Sequence, residues 1–157
     1  MPNEFNANDI FEMAIKIEQN GALFYRNAAR HLDKENQKAF LLELADMEDC
    51  HEATFADMQK ELGQDESRPT TFDPDDENAL YLKALADTRV FFKKEEPEKN
   101  LKSILGCAIQ TEKDSIAFYL GMKALIPEKL GRSKIEDIIQ EEMSHIRLLA
   151  GKLSEYY

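Results

Sequence analysis

Glutamates and histidines recur in this chain at a fixed spacing of 94 residues. A Glu-x-x-His pair occurs twice at that spacing, and a single glutamate inside an apolar helical stripe also occurs twice. Carboxylate oxygen combined with imidazole nitrogen is a ligand set that suits iron, manganese or zinc. Four carboxylates carry four negative charges, which two divalent cations neutralise. The pattern therefore predicts a site for two metal ions, with the ligands Glu18, Glu48, His51, Glu112, Glu142 and His145.

The spacing within each pair supports this prediction. Residues three apart on a helix face the same direction, so Glu48 and His51 can bind one centre together, as can Glu142 and His145. Burying an ionised carboxylate costs several kcal/mol unless a partner compensates its charge. A single glutamate or histidine in such a stripe has simpler explanations, a partly exposed acid or a hydrogen-bonded core histidine. Four acids and two imidazoles in register are harder to explain that way.

Two tyrosines accompany the single glutamates. The segments AIKIEQNGALFY and AIQTEKDSIAFY match at Ala, Ile, Glu, Phe and Tyr, and they place Tyr25 and Tyr119 seven residues after Glu18 and Glu112. Each tyrosine is therefore expected on the same helical face as its glutamate, two turns further along. It would donate a hydrogen bond to a site carboxylate, supply a redox-active ring, or serve only in core packing. All three roles remain open from the sequence.

The helices that must position these side chains follow from apolar residues at helical spacing. They predict an all-α fold, a ferritin-like antiparallel four-helix bundle that forms a single domain over residues 1–157. A capping box at Ser133 and Glu136 is expected to open the last helix. The long connection between the second and third bundle helices includes a shorter helix at about 77–92. The predicted hairpins cover about 8–62 and 98–155, and the crossover covers 63–97.

Composition and charge limit the classes of partner. Of the 157 residues, 43% are hydrophobic and 32% are charged, and the formal net charge is -11. This charge argues against a nucleic acid or an anionic membrane as a partner. The sequence shows neither a signal peptide nor a membrane span. With Cys50 and Cys107 read as reduced, largely buried thiols, we expect a cytoplasmic protein.

The two Glu-x-x-His helices and the two single-glutamate helices resemble the diiron domain of the rubrerythrins, over about residues 8–155. The resemblance implies a diiron centre that reduces hydrogen peroxide, or less readily dioxygen, with electrons from a rubredoxin-type donor. In that family the helix-paired glutamates bridge the metals, which here implies Glu48 and Glu142. The implied terminal ligands are Glu18 and His51 at one iron, and Glu112 and His145 at the other.

The sequence departs from the family pattern at two points. It contains no C-x-x-C pairs of a rubredoxin domain, so we expect a separate electron donor. Family peroxidases usually carry a further glutamate where this chain has Ser115, and Gly21 occupies the repeat-equivalent position. We therefore expect a site that is nearly symmetric about the repeat axis. Asp49 stands where bacterioferritins have a haem-ligating methionine, so a haem-containing cage is not supported.

Two alternatives to an enzyme remain open: a non-catalytic iron-binding or iron-handling protein, and an iron-storing cage. The crossover helix also predicts self-association, because it carries more apolar residues than one face of a short helix can bury. We expect at least a homodimer through these residues, which are Leu80, Tyr81, Leu82, Leu85, Val90, Phe91 and Phe92.

Overall fold

The computed structural model describes residues 6–64, 75–88 and 99–157, and it confirms the prediction of an all-α, ferritin-like helical bundle. Four long helices form two hairpins, and a short helix lies between them in the chain. None of the described helices combines the length and the apolar character needed to cross a membrane. The helices are α1 (Ala7–Arg30), α2 (Glu35–Gln64), α3 (Glu77–Asp87), α4 (Leu101–Leu125) and α5 (Arg132–Ser154).

Asparagine side chains begin two of the long helices. The Asn6 side chain accepts a hydrogen bond of 3.1 Å from the Asp9 backbone, and the Asp9 carboxylate accepts one of 3.0 Å from the Asn6 backbone. Asn100 caps α4 by accepting a 2.9 Å bond from the Ser103 backbone. These caps satisfy N–H groups that the first helical turn leaves without partners. They fix where α1 and α4 begin, and therefore the register of their glutamates.

The predicted capping box at Ser133 is wrong. The N-cap of α5 is Gly131, two residues before the predicted cap, and no side chain caps the helix. Gly131 adopts a φ of 106°, a left-handed conformation that favours glycine. A Cβ atom there would lie 2.8 Å from Cε of Met58 on α2. The turn between α4 and α5 is therefore packed tightly against α2, and this packing places Ser133 inside the first helical turn.

The core consists of two apolar clusters, one toward each end of the bundle. One combines the first half of α1 and α5 with the second half of α2 and α4, and it includes Phe11, Phe55 and Phe118. The other combines the opposite halves and includes Leu41 and Leu105. The six predicted ligands occupy the helix positions between these clusters. Apolar packing above and below therefore holds their backbones in place.

The crossover helix α3 packs against α4. Leu82 is fully buried in the first cluster, and the hydroxyl of Tyr81 donates a 2.7 Å hydrogen bond to the Ala117 carbonyl. A Cβ atom at Gly121 would lie 2.7 Å from the Tyr81 ring, so this glycine permits the close approach of α3. The helix ends at Asp87, with Thr88 as its C-cap, so the prediction that it continues to Phe92 is wrong, and residues 89–92 lie outside the described part of the chain.

Candidate metal centre

The structure brings all six predicted ligands together in the bundle interior. Each is at most 4% exposed. Their ligand atoms form two groups, and within each group all of them lie within 4.8 Å of one another. Glu48 and Glu142 belong to both groups, as two bridging carboxylates would. The first group adds Glu18 and His51, and the second adds Glu112 and His145.

Both histidines turn Nδ1 toward the carboxylates. His51 Nδ1 lies 2.8 Å from Oε1 of Glu142, and His145 Nδ1 lies 3.2 Å from its Oε2. The two rings stack with centroids 5.7 Å apart and an angle of 18° between their planes. Glu142 therefore contacts both imidazoles, one through each carboxylate oxygen. This is the arrangement expected of a carboxylate shared by two metal positions.

The outer nitrogens of the two histidines meet different side chains. Nε2 of His51 lies 2.5 Å from Oε2 of Glu141, whereas Nε2 of His145 lies 3.1 Å from Sδ of Met47. The sequence reasoning missed both residues. Their signal was present, because Met47 and Glu141 are themselves 94 residues apart and each directly precedes a predicted bridging glutamate. The ligand groups are equivalent in the two halves, as expected of a nearly symmetric site, but these outer partners differ.

Each tyrosine donates a hydrogen bond to the single glutamate of the other helix, a crosswise arrangement between α1 and α4. Tyr25 on α1 donates a 2.6 Å hydrogen bond to Oε1 of Glu112 on α4. Tyr119 on α4 donates in turn to Oε1 of Glu18 on α1. Each tyrosine therefore bonds to the glutamate of the opposite helix rather than to that of its own, since α1 and α4 run antiparallel. Of the open roles, hydrogen bonding to site carboxylates is the one that the geometry displays.

The positions one turn after the single glutamates are small. Ser115 is 5% exposed, and its hydroxyl donates a 3.0 Å hydrogen bond to the Thr111 carbonyl of its own helix. At Gly21 an added Cβ atom would lie 3.1 Å from Oε2 of Glu48. Neither position supplies a seventh carboxylate, and Gly21 leaves room for the Glu48 side chain.

Burial and mutual repulsion dominate the protonation of the acids. Burial, followed by the charges of the three other site glutamates, raises the pKa of Glu48 well above its usual value. Burial and interaction with Glu142 raise the pKa of Glu112 to about 8. For Glu142 burial acts in the same direction, but hydrogen bonds from Glu112 and the two histidines outweigh it and lower the pKa. Glu48 and Glu112 therefore retain protons more readily than ordinary glutamates when no cation is bound.

The surrounding carboxylates favour the charged form of both histidines. Burial opposes the charged form of His51, but its interactions with the carboxylates of Glu142 and Glu18 raise its pKa to about 11. The same balance, with Glu112 and Glu142 as partners, raises the pKa of His145 to about 9. The cluster therefore stabilises positive charge at both histidine positions, as a cation site should.

Two buried oxygen atoms indicate how a cation would fit. Oε2 of Glu18 and Oε1 of Glu48 accept no hydrogen bond within the described part of the chain. A histidine Nδ1 lies 3.5 Å and 3.3 Å from them respectively, within ion-pair distance but without hydrogen-bond geometry. Leaving buried carboxylate oxygens unsatisfied is costly, and a coordinated cation removes that cost. The donor set, hard oxygens with two imidazole nitrogens, fits a diiron site.

Two neighbours of the ligands on α2 face outward. Asp49 pairs with Arg26, which also reaches Asp46 at 3.4 Å. It therefore provides no ligand for a haem. Cys50 is exposed and Cys107 is half-buried, so the prediction of two largely buried thiols is wrong for Cys50. Adjacent helix positions face different directions, and burial of His51 therefore turns Cys50 toward solvent.

Comparison with known proteins agrees with this geometry. None of the curated proteins compared with the sequence matches it significantly. One solved structure, a Thermotoga maritima protein described as a candidate ferritin-like diiron-carboxylate protein, is similar over 100% of both chains, with 27% sequence identity and a TM-score of 0.71. The family profile described as Rubrerythrin matches residues 9–153. With nearly the whole chain matched, and a buried Glu/His cluster that fits a diiron site, this protein belongs to the rubrerythrin family.

Proposed function

We propose that the protein is a non-haem diiron oxidoreductase of rubrerythrin type. It would reduce hydrogen peroxide, or less readily dioxygen, with electrons from a separate rubredoxin-type donor. The observation that carries the proposal is the pair of ligand groups that share Glu48 and Glu142. Such sharing suits two metals held side by side, and a pair of iron ions can deliver the two electrons that peroxide reduction consumes.

The residues of the chain would have distinct tasks in this activity. Glu48 and Glu142 would bridge the two irons. The crosswise hydrogen bonds from Tyr25 and Tyr119 would hold the carboxylates of Glu112 and Glu18 in position for a metal. The apolar clusters on either side limit water in the site, which strengthens electrostatic interactions there. The terminal ligands would be Glu18 and His51 at one iron, and Glu112 and His145 at the other.

The conversion of hydrogen peroxide to two water molecules consumes two protons and two electrons. The electrons would come one at a time from the donor protein, which would act in the cytoplasm. Manganese or zinc would also fit the donor set. Iron is favoured because the family is a diiron family and because zinc has no redox chemistry.

One observation favours a second candidate, a non-catalytic iron-binding or iron-handling protein. Ser115 occupies the position of the family's further glutamate, and its hydroxyl bonds to its own helix rather than turning toward the ligands. A site without that carboxylate would still bind two ions. The peroxidase reaction therefore needs a direct test.

Anaerobic loading with ferrous iron, followed by stopped-flow mixing with hydrogen peroxide, separates the two candidates. The enzyme predicts rapid oxidation of two irons per chain, with peroxide preferred over dioxygen. Oxidation no faster than that of free ferrous iron would support the binding protein. Glu48→Ala, which lacks a shared ligand, is the control and should lose the rapid phase. Reduced rubredoxin added to the wild type should then sustain turnover.

A further inference from the structure

The outer nitrogens of the two site histidines provide an internal comparison. Each nitrogen contacts the residue that directly precedes a shared glutamate on the facing helix. For His51 this residue is Glu141, at 2.5 Å, and for His145 it is Met47, at 3.1 Å. Met47 and Glu141 are repeat equivalents, so the two halves of the site have equivalent ligands but differ in the chemistry of this partner.

A carboxylate and a thioether act differently on an imidazole. A carboxylate oxygen accepts the Nε2 hydrogen, so Glu141 holds that hydrogen on Nε2, and when a metal displaces the Nδ1 proton the Nδ1 lone pair is the one left for the metal. Such a partner also makes the imidazole a stronger base and therefore a stronger metal ligand. The Met47 sulfur is neutral and accepts hydrogen bonds weakly. Met47 therefore does little to hold the hydrogen of His145 on Nε2 or to strengthen this imidazole as a metal ligand.

Solvent limits the size of this difference. The Glu141 side chain is 60% exposed. It lines an open cleft of about 370 Å³ between α2 and α5, together with Cys50, Thr54 and Asp137. Water in the cleft screens the carboxylate charge, which weakens its effect on His51. Loss of such outer partners commonly lowers metal affinity by about 10–100-fold, and exposure places Glu141 near the lower end.

We propose that Glu141 is a positioning residue that makes the two metal positions unequal. The position formed with Glu18 and His51 binds its divalent ion more tightly than the position formed with Glu112 and His145, and it fills first. This inference rests on the proposed dimetal site. It concerns the order and strength of binding, which can be measured without any turnover.

The test uses the full chain, freed of metal and given one equivalent of Mn²⁺. Anomalous scattering from crystals then gives the occupancy of each position, and competition with a chelator gives the affinities. Glu141→Met gives His51 the same partner as His145, and Glu141→Gln keeps a hydrogen-bond acceptor without the charge. Met47→Glu introduces the carboxylate in the other half, and Met47→Leu is its matched control.

In the wild type, Mn²⁺ should occupy mainly the His51 position. Glu141→Met should lower affinity there by about 10-fold and equalise the occupancies, and Glu141→Gln should restore part of the preference. Met47→Glu should raise occupancy of the His145 position, whereas Met47→Leu should not. If the two positions are equally occupied at one equivalent of Mn²⁺, this inference is wrong. If two ions are nevertheless bound at saturation, the dimetal site itself remains supported. Failure to bind any Mn²⁺, Fe²⁺ or Zn²⁺ would overturn both.

Discussion

Tyr25 on α1 donates a 2.6 Å hydrogen bond to Glu112 on α4. Its repeat equivalent, Tyr119, forms the reciprocal bond to Glu18. These two bonds connect the hairpins directly at the level of the metal ligands. At Glu18 the oxygen that Tyr119 does not bind, Oε2, lies 3.5 Å from Nδ1 of His51. The hydrogen-bonding tyrosines therefore belong to the site as much as the ligands do.

Tyr25→Phe removes one of these bonds while keeping the buried ring. Glu112 retains its proton in the metal-free protein, and a hydrogen bond between uncharged groups contributes about 0.5–1.5 kcal/mol, so the metal-free variant should lose stability in that range. Its affinity for ferrous iron should also fall. Urea denaturation and metal competition measure the two effects. Tyr81→Phe loses only an exposed bond to a backbone carbonyl and should cost less. Equal losses in the two variants would contradict this role for Tyr25.

The metal-free protein should become less stable as pH rises from about 5 to 9. The pKa of Glu112 is raised to about 8, so the folded state retains a proton that the unfolded state loses above its lower pKa. The pKa values of His51 and His145 are raised to about 11 and 9. The charged histidines therefore stabilise the fold fully below the pKa of an unfolded histidine, and this contribution is lost as pH rises through the folded pKa values. The glutamate and the two histidines therefore all make the fold less stable as pH rises from about 5 to 9.

Metal should reverse this slope, because cations bind deprotonated ligands and displace the protons. Melting temperatures of chelator-treated and metal-loaded protein, measured from pH 5 to 9, test the prediction. The difference between the two forms should widen with pH. A chelator-treated protein that is more stable at pH 9 than at pH 6 would contradict the assignment of protons to the buried acids.

Ser115→Glu should add a seventh carboxylate one turn after Glu112. Without metal, another buried acid should destabilise the fold by several kcal/mol, and bound cations should offset most of that loss. If the family's further glutamate aids turnover, the peroxidase rate with a rubredoxin donor should rise. Ser115→Ala loses only the bond to the Thr111 carbonyl and should leave the rate unchanged. A Ser115→Glu variant that reduces peroxide more slowly than the wild type would argue against a role in turnover for a glutamate at this position.

We also predict at least a homodimer. On α3, Leu80 and Tyr81 remain 45% and 39% exposed, whereas Leu82 is buried within the same chain. The apolar Val90, Phe91 and Phe92 lie outside the described residues. Leu80→Glu should weaken association without disturbing the buried Leu82. Light scattering at micromolar concentration measures both variant and wild type, and a wild type found only at 18.1 kDa would refute the prediction.

The sequence predicted the six clustered side chains because their repeat spacing and helical periodicity are both local patterns. Glu141 was missed although it shares the repeat spacing, because it lies next to Glu142 but faces away from it on its own helix. Only the packing of α5 against α2 brings it to His51. The beginning of α5 was mispredicted for a similar reason. The backbone at Gly131 is set by the turn and by Met58, whereas the capping motif at Ser133 is a local signal that the tertiary packing overrides.

The central claim is that one chain holds two metal ions through shared carboxylates. Elemental analysis after anaerobic loading and desalting tests it most directly, on the wild type, on Glu48→Ala and on Glu52→Ala. Glu52 follows His51 on the same helix but bonds to Gln19 outside the site, so its variant is the matched control. We predict two ions per chain in the wild type and the control, and loss from both positions in Glu48→Ala. One ion per chain in the wild type, or two in Glu48→Ala, would contradict the account.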